Sequence, residues 1–282
     1  MGGSLALALR GRVAKLVGVE LHAATRRQAL RARVVDVATA DLAEGVRQAD
    51  LVVLATPVSA ILATLATLPH LRPSGCALLD LGSTKTAIGA ALAALPDGFE
   101  AIGGHPMCGK ELAGLAAADE MLYCGQTFVL CRNGRTTPRV EQLALELVTA
   151  VGAQPLFLSP ETHDEIVAMV SHVPYLAASA LVHCAAAMAD ERVWPVSASG
   201  FRDAARLAGS DPRMMLDILQ TNRAAVLARL AQYQQALTAV AELLQASDEQ
   251  LLSAWLGETQ RYYADYRQHK EQASPTIHNL PA

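Results

Sequence analysis

Three short polar clusters interrupt an otherwise apolar chain, and each carries residue types suited to proton transfer or carboxylate recognition. The first, Asp80-Leu81-Gly82-Ser83-Thr84-Lys85, closes the apolar run from Ala77 to Leu81. Ligands of open α/β sheets bind beyond the carboxyl ends of the strands, so Ser83 is placed to face a crevice. The competing reading is that Ser83 or Thr84 caps the helix that follows. The second cluster is Gly103-Gly104-His105-Pro106-Met107-Cys108-Gly109-Lys110-Glu111. A histidine set between paired glycines and a proline is poorly explained by core packing. Its free pKa near 6.5 suits general acid–base work, and the glycines permit close approach of a ligand or another backbone. The third is Ser171-His172-Val173-Pro174-Tyr175, with His163-Asp164 two turns earlier. Some thirty residues on, Gly200-Phe201-Arg202-Asp203-Ala204-Ala205-Arg206 places Arg202 and Arg206 one turn apart on a helix face. A guanidinium is the natural fork for a carboxylate, although an arginine on an Ala-rich helix commonly snorkels to water instead.

The elements that must position these clusters fall into two textures. In the first half, short β-branched runs alternate with helix-compatible stretches. The strand candidates are Leu16 to Val19, Val34 to Val35, Leu51 to Ala55, Ala77 to Leu81, Ala101 to Gly103, Thr127 to Cys131 and Pro155 to Leu158. Runs that are apolar on both faces and alternate with helices predict a parallel, helix-covered sheet. After Ser159-Pro160 the periodicity is helical throughout, with Gly209-Ser210-Asp211-Pro212 reading as a helix stop followed by an Asp cap and Pro at the first helical position. The expected division is a Rossmann-type α/β domain over 1–158 and an all-helical domain over 159–282, with a frayed tail.

Composition narrows the function classes. The 282 residues are 52% hydrophobic and carry a net charge of −4 without a Lys/Arg cluster, which argues against nucleic acid or an anionic membrane surface as partner. Five cysteines at irregular spacing fit neither a disulfide framework nor a metal site, and the eight histidines show no ligand spacing, so no metal is expected. No uninterrupted apolar run has the length of a membrane span, and the start lacks the charged flank of a signal peptide. A cytoplasmic protein is expected.

The opening Met1-Gly2-Gly3-Ser4 leads directly into a helical stretch. Read as the third glycine of a GxGxxG turn, Gly2 implies that the first strand and the first two glycines lie upstream. Glu20, eighteen positions later and at the end of an apolar run, stands where an acid takes the ribose hydroxyls of a dinucleotide. A carboxylate repels a 2′-phosphate, so Glu20 favours NAD over NADP; Arg26 and Arg27 weaken that preference without reversing it.

Together these residues resemble the prephenate/arogenate dehydrogenases of tyrosine biosynthesis over nearly the whole chain. The resemblance runs through Met1-Gly2-Gly3-Ser4-Leu5-Ala6, Ala55-Thr56-Pro57-Val58, Asp80 to Lys85, Gly104-His105-Pro106-Met107, Ser171-His172-Val173-Pro174, and Gly200-Phe201-Arg202-Asp203 through Ser210-Asp211-Pro212. It implies an NAD(P)-dependent oxidative decarboxylation of a cyclohexadienol. His105 matches the catalytic histidine that accepts the ring hydroxyl proton, and Ser83 a serine that hydrogen-bonds that hydroxyl and the histidine. Arg206 matches an arginine that binds a substrate carboxylate, with His172 and Tyr175 alongside it. Gly2, Gly3, Glu20, Thr56 and Pro57 would hold the cofactor. The helical half resembles the family's dimerisation domain and implies a homodimer acting on a small molecule.

Two features depart from the family pattern. One is the start without a first strand, which leaves an inactive helical dimerisation module as the alternative function. The other is Tyr175, where prephenate-using members often carry a second histidine. A neutral hydroxyl both donates and accepts, so Tyr175 tilts the reading only slightly towards arogenate or dual use. Architecturally similar 3-hydroxyacid dehydrogenases use a lysine on a helix of the second domain, and no lysine occurs between Ser159 and Lys270 here.

Overall fold

A computed structural model describes residues 1–109 and 114–273. Lys110 and Glu111, which end the second polar cluster, and the tail from 274 that was expected to fray lie outside the described residues. The chain forms two compact units, Met1–Val226 and a second beginning at Leu227.

The first unit opens with α1 (Gly2–Leu9), followed by β1 (Val17–Val19), α2 (Ala23–Arg31), β2 (Val37–Thr39), α3 (Leu42–Val46), β3 (Leu51–Leu54), α4 (Val58–Leu71), β4 (Ala77–Asp80) and α5 (Thr86–Ala93). Next come β5 (Glu100–Pro106), β6 (Thr127–Cys131), α6 (Pro138–Ala150) and β7 (Gln154–Phe157). Strands β3 to β7 form one sheet in chain order, while β1 and β2 pair separately in parallel. Successive side chains of the sheet enter opposite cores, as the two-residue period requires. Leu79 and Ile102 pack with Leu5 of α1 and Val140 of α6, whereas Leu78 and Ala101 pack with Ile61 of α4 and Ile88 of α5. Helices therefore cover both faces, the doubly wound arrangement.

Two sequence expectations are corrected. The sheet is not wholly parallel: β6 runs antiparallel to β5, with His105 opposite Val129, and β7 then runs parallel to β6. A parallel return needs a crossover, usually a helix; the described part of the β5–β6 connection holds only the 3-10 turn Leu115–Ala117. The second strand lies at Val37–Thr39 rather than Val34 to Val35. Arg33 ends α2 in the left-handed region (φ 52°), and the Val34 N–H then bonds back to the Ala29 carbonyl while its side chain is buried. Val34 thus closes a helix and is unavailable to a strand.

The helical part begins with α7 (Pro160–Val167), a π turn (Ala168–His172) and α8 (Val173–Ala187). They run on as one 28-residue helix, Pro160–Ala187, which by length and apolarity alone could cross a membrane. Its polar interruptions His163, Asp164 and His172 hide it from a search for unbroken apolar runs, and all three are buried inside the molecule. Pro174 lacks the N–H that would continue the α pattern, and the wider π turn ends just before it. Then follow α9 (Val193–Val196), α10 (Ser199–Ala205), a 3-10 turn (Arg206–Gly209), α11 (Pro212–Thr221), α12 (Arg223–Ala246) and α13 (Glu249–Ala273). Asp211 caps α11 as its spacing predicts, accepting from the amides of Arg213 and Met214, with Pro212 at the first position.

Candidate active site

The site is framed where β4 and β5 end. Asp80, fully buried at the end of β4, accepts from the Gly82 amide (2.8 Å), the Gly104 amide (3.3 Å) and the Lys85 ammonium. Lys85 is buried with it and also donates to the Gly104 carbonyl (2.7 Å). One buried ion pair therefore ties the loop bearing Ser83 to the strand end bearing His105. The strands approach so closely here that a Cβ on Gly104 would lie 2.6 Å from the Asp80 carbonyl oxygen, which restricts the position to glycine.

Behind His105 stands a second set of buried polar groups, contributed by the helical part. His105 Nδ1 lies 2.8 Å from His163 Nε2, and His163 Nδ1 lies 2.8 Å from Asp164 Oδ1. Asp164 also accepts from the backbone amides of Lys85 (2.7 Å) and Thr86 (2.8 Å). Burial raises its pKa, but hydrogen bonds from His163, Thr86 and Lys85 outweigh that effect and hold the carboxyl below its ordinary range. His105 is pushed well below 6.5, first by desolvation and then by the charges of His163, Lys85 and His172, with Asp164 opposing. It is neutral at physiological pH and free to take a proton.

His172 lies on the π turn, with Nδ1 3.3 Å from Asn222 Nδ2, and the same amide donates to the Asp164 carbonyl (2.7 Å). An amide nitrogen only donates, so His172 Nδ1 accepts and its proton sits on Nε2. The end of α11 completes the frame. Asp217 accepts from the amide and hydroxyl of Ser59 at the start of α4, and Thr221 pairs with Thr84 (2.8 Å).

Burial lowers the pKa of His172 to about 4, the His163 charge also lowering it and Asp164 opposing. Below pH 6.5 the unfolded chain takes up this proton and the folded chain does not, so stability present above pH 6.5 is lost as the pH falls towards 4. The expected loss is on the order of 3 kcal/mol over that window. Urea titrations at stepped pH check this, and His172→Gln is expected to flatten the slope.

The remaining predicted residues take simpler places. Ser83 is half-buried and makes no hydrogen bond to another described residue. Neither Ser83 nor Thr84 caps α5, because Asp164, some eighty residues away in sequence, occupies that role. Tyr175 is half-buried on the first turn of α8. Arg202 and Arg206 do not share one α-helical face: α10 ends at Ala205, and the exposed Arg206 opens the 3-10 turn that packs on α8. The sequence alone assigns no role to His163-Asp164, to Asp80 and Lys85 of the first cluster, or to Asn222. The adjacent His-Asp pair near Ser171-His172 was the available signal; Asn222 carries none.

The other end of the site suits a dinucleotide. Helix α1 has no side-chain cap, so its first amides are available to an anion. A Cβ on Gly2 would lie 3.0 Å from that of Ala55, the close helix–strand packing expected of a third fingerprint glycine. The same contact sets the α1 terminus beside the exposed Thr56 and Pro57. Glu20 directly follows β1, its carboxylate accepting from the His22 amide (2.7 Å), while Arg26 donates to the carbonyls of Glu20 and Leu21. Arg26 therefore shapes the loop around the acid, and these residues fit NAD.

A doubly wound sheet with an uncapped glycine-led helix, a strand-end acid and a neutral, relay-backed histidine defines a dinucleotide-dependent dehydrogenase. Comparison with known proteins gives the family. Residues 4–156 match the prephenate dehydrogenase nucleotide-binding domain, and 159–258 the prephenate dehydrogenase dimerization domain. The chain belongs to the prephenate dehydrogenase family. It is 29% identical to the prephenate dehydrogenase of Bacillus subtilis (strain 168), covering 99% of this chain and 77% of that one. Its structure resembles the Aquifex aeolicus prephenate dehydrogenase solved with hydroxyphenyl propionate and NAD+ (TM-score 0.87, 27% identity, 94% of each chain). It also resembles the Synechocystis arogenate dehydrogenase (TM-score 0.79, 31% identity, 94% of this chain and 95% of that one).

Proposed function

We propose that this chain catalyses the NAD-dependent oxidative decarboxylation of prephenate, arogenate or both, with His105 as the base. The observation that carries this reading is a neutral, buried-side histidine at the end of β5, backed by a hydrogen-bonded histidine and carboxylate. NAD, held by Gly2, Gly3, Glu20, Thr56 and Pro57, supplies the hydride acceptor. His105 Nε2 takes the proton of the ring hydroxyl, and Ser83, whose hydroxyl bonds no other described residue, bonds the same oxygen. Arg206 pairs with a substrate carboxylate, while the His172 Nε2–H and the Tyr175 hydroxyl line the substrate. Loss of the ring carboxylate makes the ring aromatic and yields 4-hydroxyphenylpyruvate from prephenate or tyrosine from arogenate.

Residues 1–158 act as the nucleotide-binding domain and 159–282 as the helical domain. The helical part leaves Met188 (67%), Trp194 (48%) and Val196 (80%) exposed, which supports burial against a second copy in a homodimer. As in a soluble biosynthetic enzyme, the place of action is the cytoplasm. Nothing in the site favours an inactive dimerisation module, since the base and its partners are intact.

NADH formation with each substrate, and with NAD or NADP, tests the reading. The expected outcome is turnover with NAD and a measurable preference at Tyr175, which Tyr175→His shifts towards prephenate. Absence of turnover with both substrates and both cofactors would overturn it.

A further inference from the structure

Neither Ser83, Arg206 nor Tyr175 explains why His163 and Asp164 stand behind His105. With His163 neutral, their hydrogen bonds have one consistent arrangement of protons. Asp164 is ionised and accepts from two backbone amides, so its contact with His163 requires the proton on His163 Nδ1. Neutral His163 then presents an unprotonated Nε2, and the 2.8 Å contact requires a proton on His105 Nδ1. The lone pair of His105 is thereby confined to Nε2, the nitrogen outside the relay.

We propose that His163 and Asp164 are positioning residues for His105, holding it in the Nδ1–H tautomer and sharing the positive charge that arrives on proton transfer. This deepens, and rests on, the reading of His105 as the base. The step moves one proton. The substrate O–H bond breaks and an N–H bond forms at His105 Nε2. The Nδ1 proton stays within the hydrogen bond to His163, and the Asp164 carboxylate balances the charge. Of the described groups felt at His105, Lys85 from the start of α5, His163 from α7 and His172 from the π turn disfavour the imidazolium, and Asp164 favours it. The base lies on a strand of the nucleotide-binding part and its partners on a helix of the other. A competent tautomer therefore forms only when the two parts are docked.

Nitrogen NMR of the histidine-labelled full chain, without substrate, reads the tautomer directly, with His105→Asn identifying the His105 signals. The wild type is expected to show His105 protonated at Nδ1, and His163→Leu to move the proton largely to Nε2. In kinetics, His163→Leu is expected to lower kcat about 10²-fold, with the KM for NAD unchanged and the pH profile of kcat displaced. His163→Gln, whose side-chain oxygen accepts the Nδ1 proton, is expected to recover about tenfold of that loss. Both variants leave the Asp164 cap on α5 in place, so folding is preserved, and thermal melts confirm it. An unchanged tautomer and pH profile in His163→Leu would overturn the proposal. The expected tautomer change in a wild type without turnover would instead leave the positioning role standing and refute the proposed reaction.

Discussion

His105→Asn is expected to lower kcat about 10³-fold, within the range that general acid–base catalysis contributes. Asparagine is close to histidine Nδ1 in reach, so an amide N–H can still donate to His163 Nε2. The backbone of residue 105 stays in register with Val129, and neither core loses a side chain. Stability should change by less than about 1 kcal/mol. NAD binding, followed by quenching of intrinsic fluorescence, should be unaffected, because Gly2, Glu20, Thr56 and Pro57, the residues proposed to hold the cofactor, lie on other elements. The loss therefore falls on kcat, and the acid limb of the pH profile disappears with the titrating group. A variant that kept more than about a tenth of the activity would show that the hydroxyl proton leaves by another route.

The largest effect on stability is expected from Lys85→Met. Lys85 and Asp80 are both buried, and Asp80 has no other cationic partner among the described residues. Removing the ammonium leaves a carboxylate in the core with only two backbone amides to hold it. Breaking one side of such a pair typically costs about 3–5 kcal/mol, a large share of the whole stability of a domain. For a unit of this size the melting temperature should fall by roughly 10 °C. The double variant Asp80→Asn with Lys85→Met removes both charges and should recover much of the loss, which thermal melts of the two variants will show. Catalysis should suffer in both, because the pair also fixes the Gly104 carbonyl beside His105. If the double variant were as unstable as the single one, the packing of the lysine stem, and not its charge, would be what matters.

Ser83 stands out in Asp80 to Lys85 because a serine after a strand has a known use, while a charged pair five residues apart reads as surface. Only the approach of β5 to β4, which buries both residues, turns that pair into the frame of the site. Asp164 tells the same story at longer range. The local sequence offers Ser83 or Thr84 as a cap for α5, and Asp164 of α7 supplies it.

What the sequence by itself determined were features carried by near neighbours. Strand β3 follows from an apolar run, the α11 start from Asp211-Pro212, and the strand-end histidine from Gly103-Gly104-His105-Pro106. His105 and Glu20 could be proposed as base and cofactor acid for the same reason: a type of residue at the end of a strand is a local signal. Tertiary structure alone decided the antiparallel turn of β6 and the joining of His105 to His163 across 58 positions. Hydrogen bonds and burial depend on distance in space, and spacing along the chain does not encode which distant side chain will arrive at 2.8 Å.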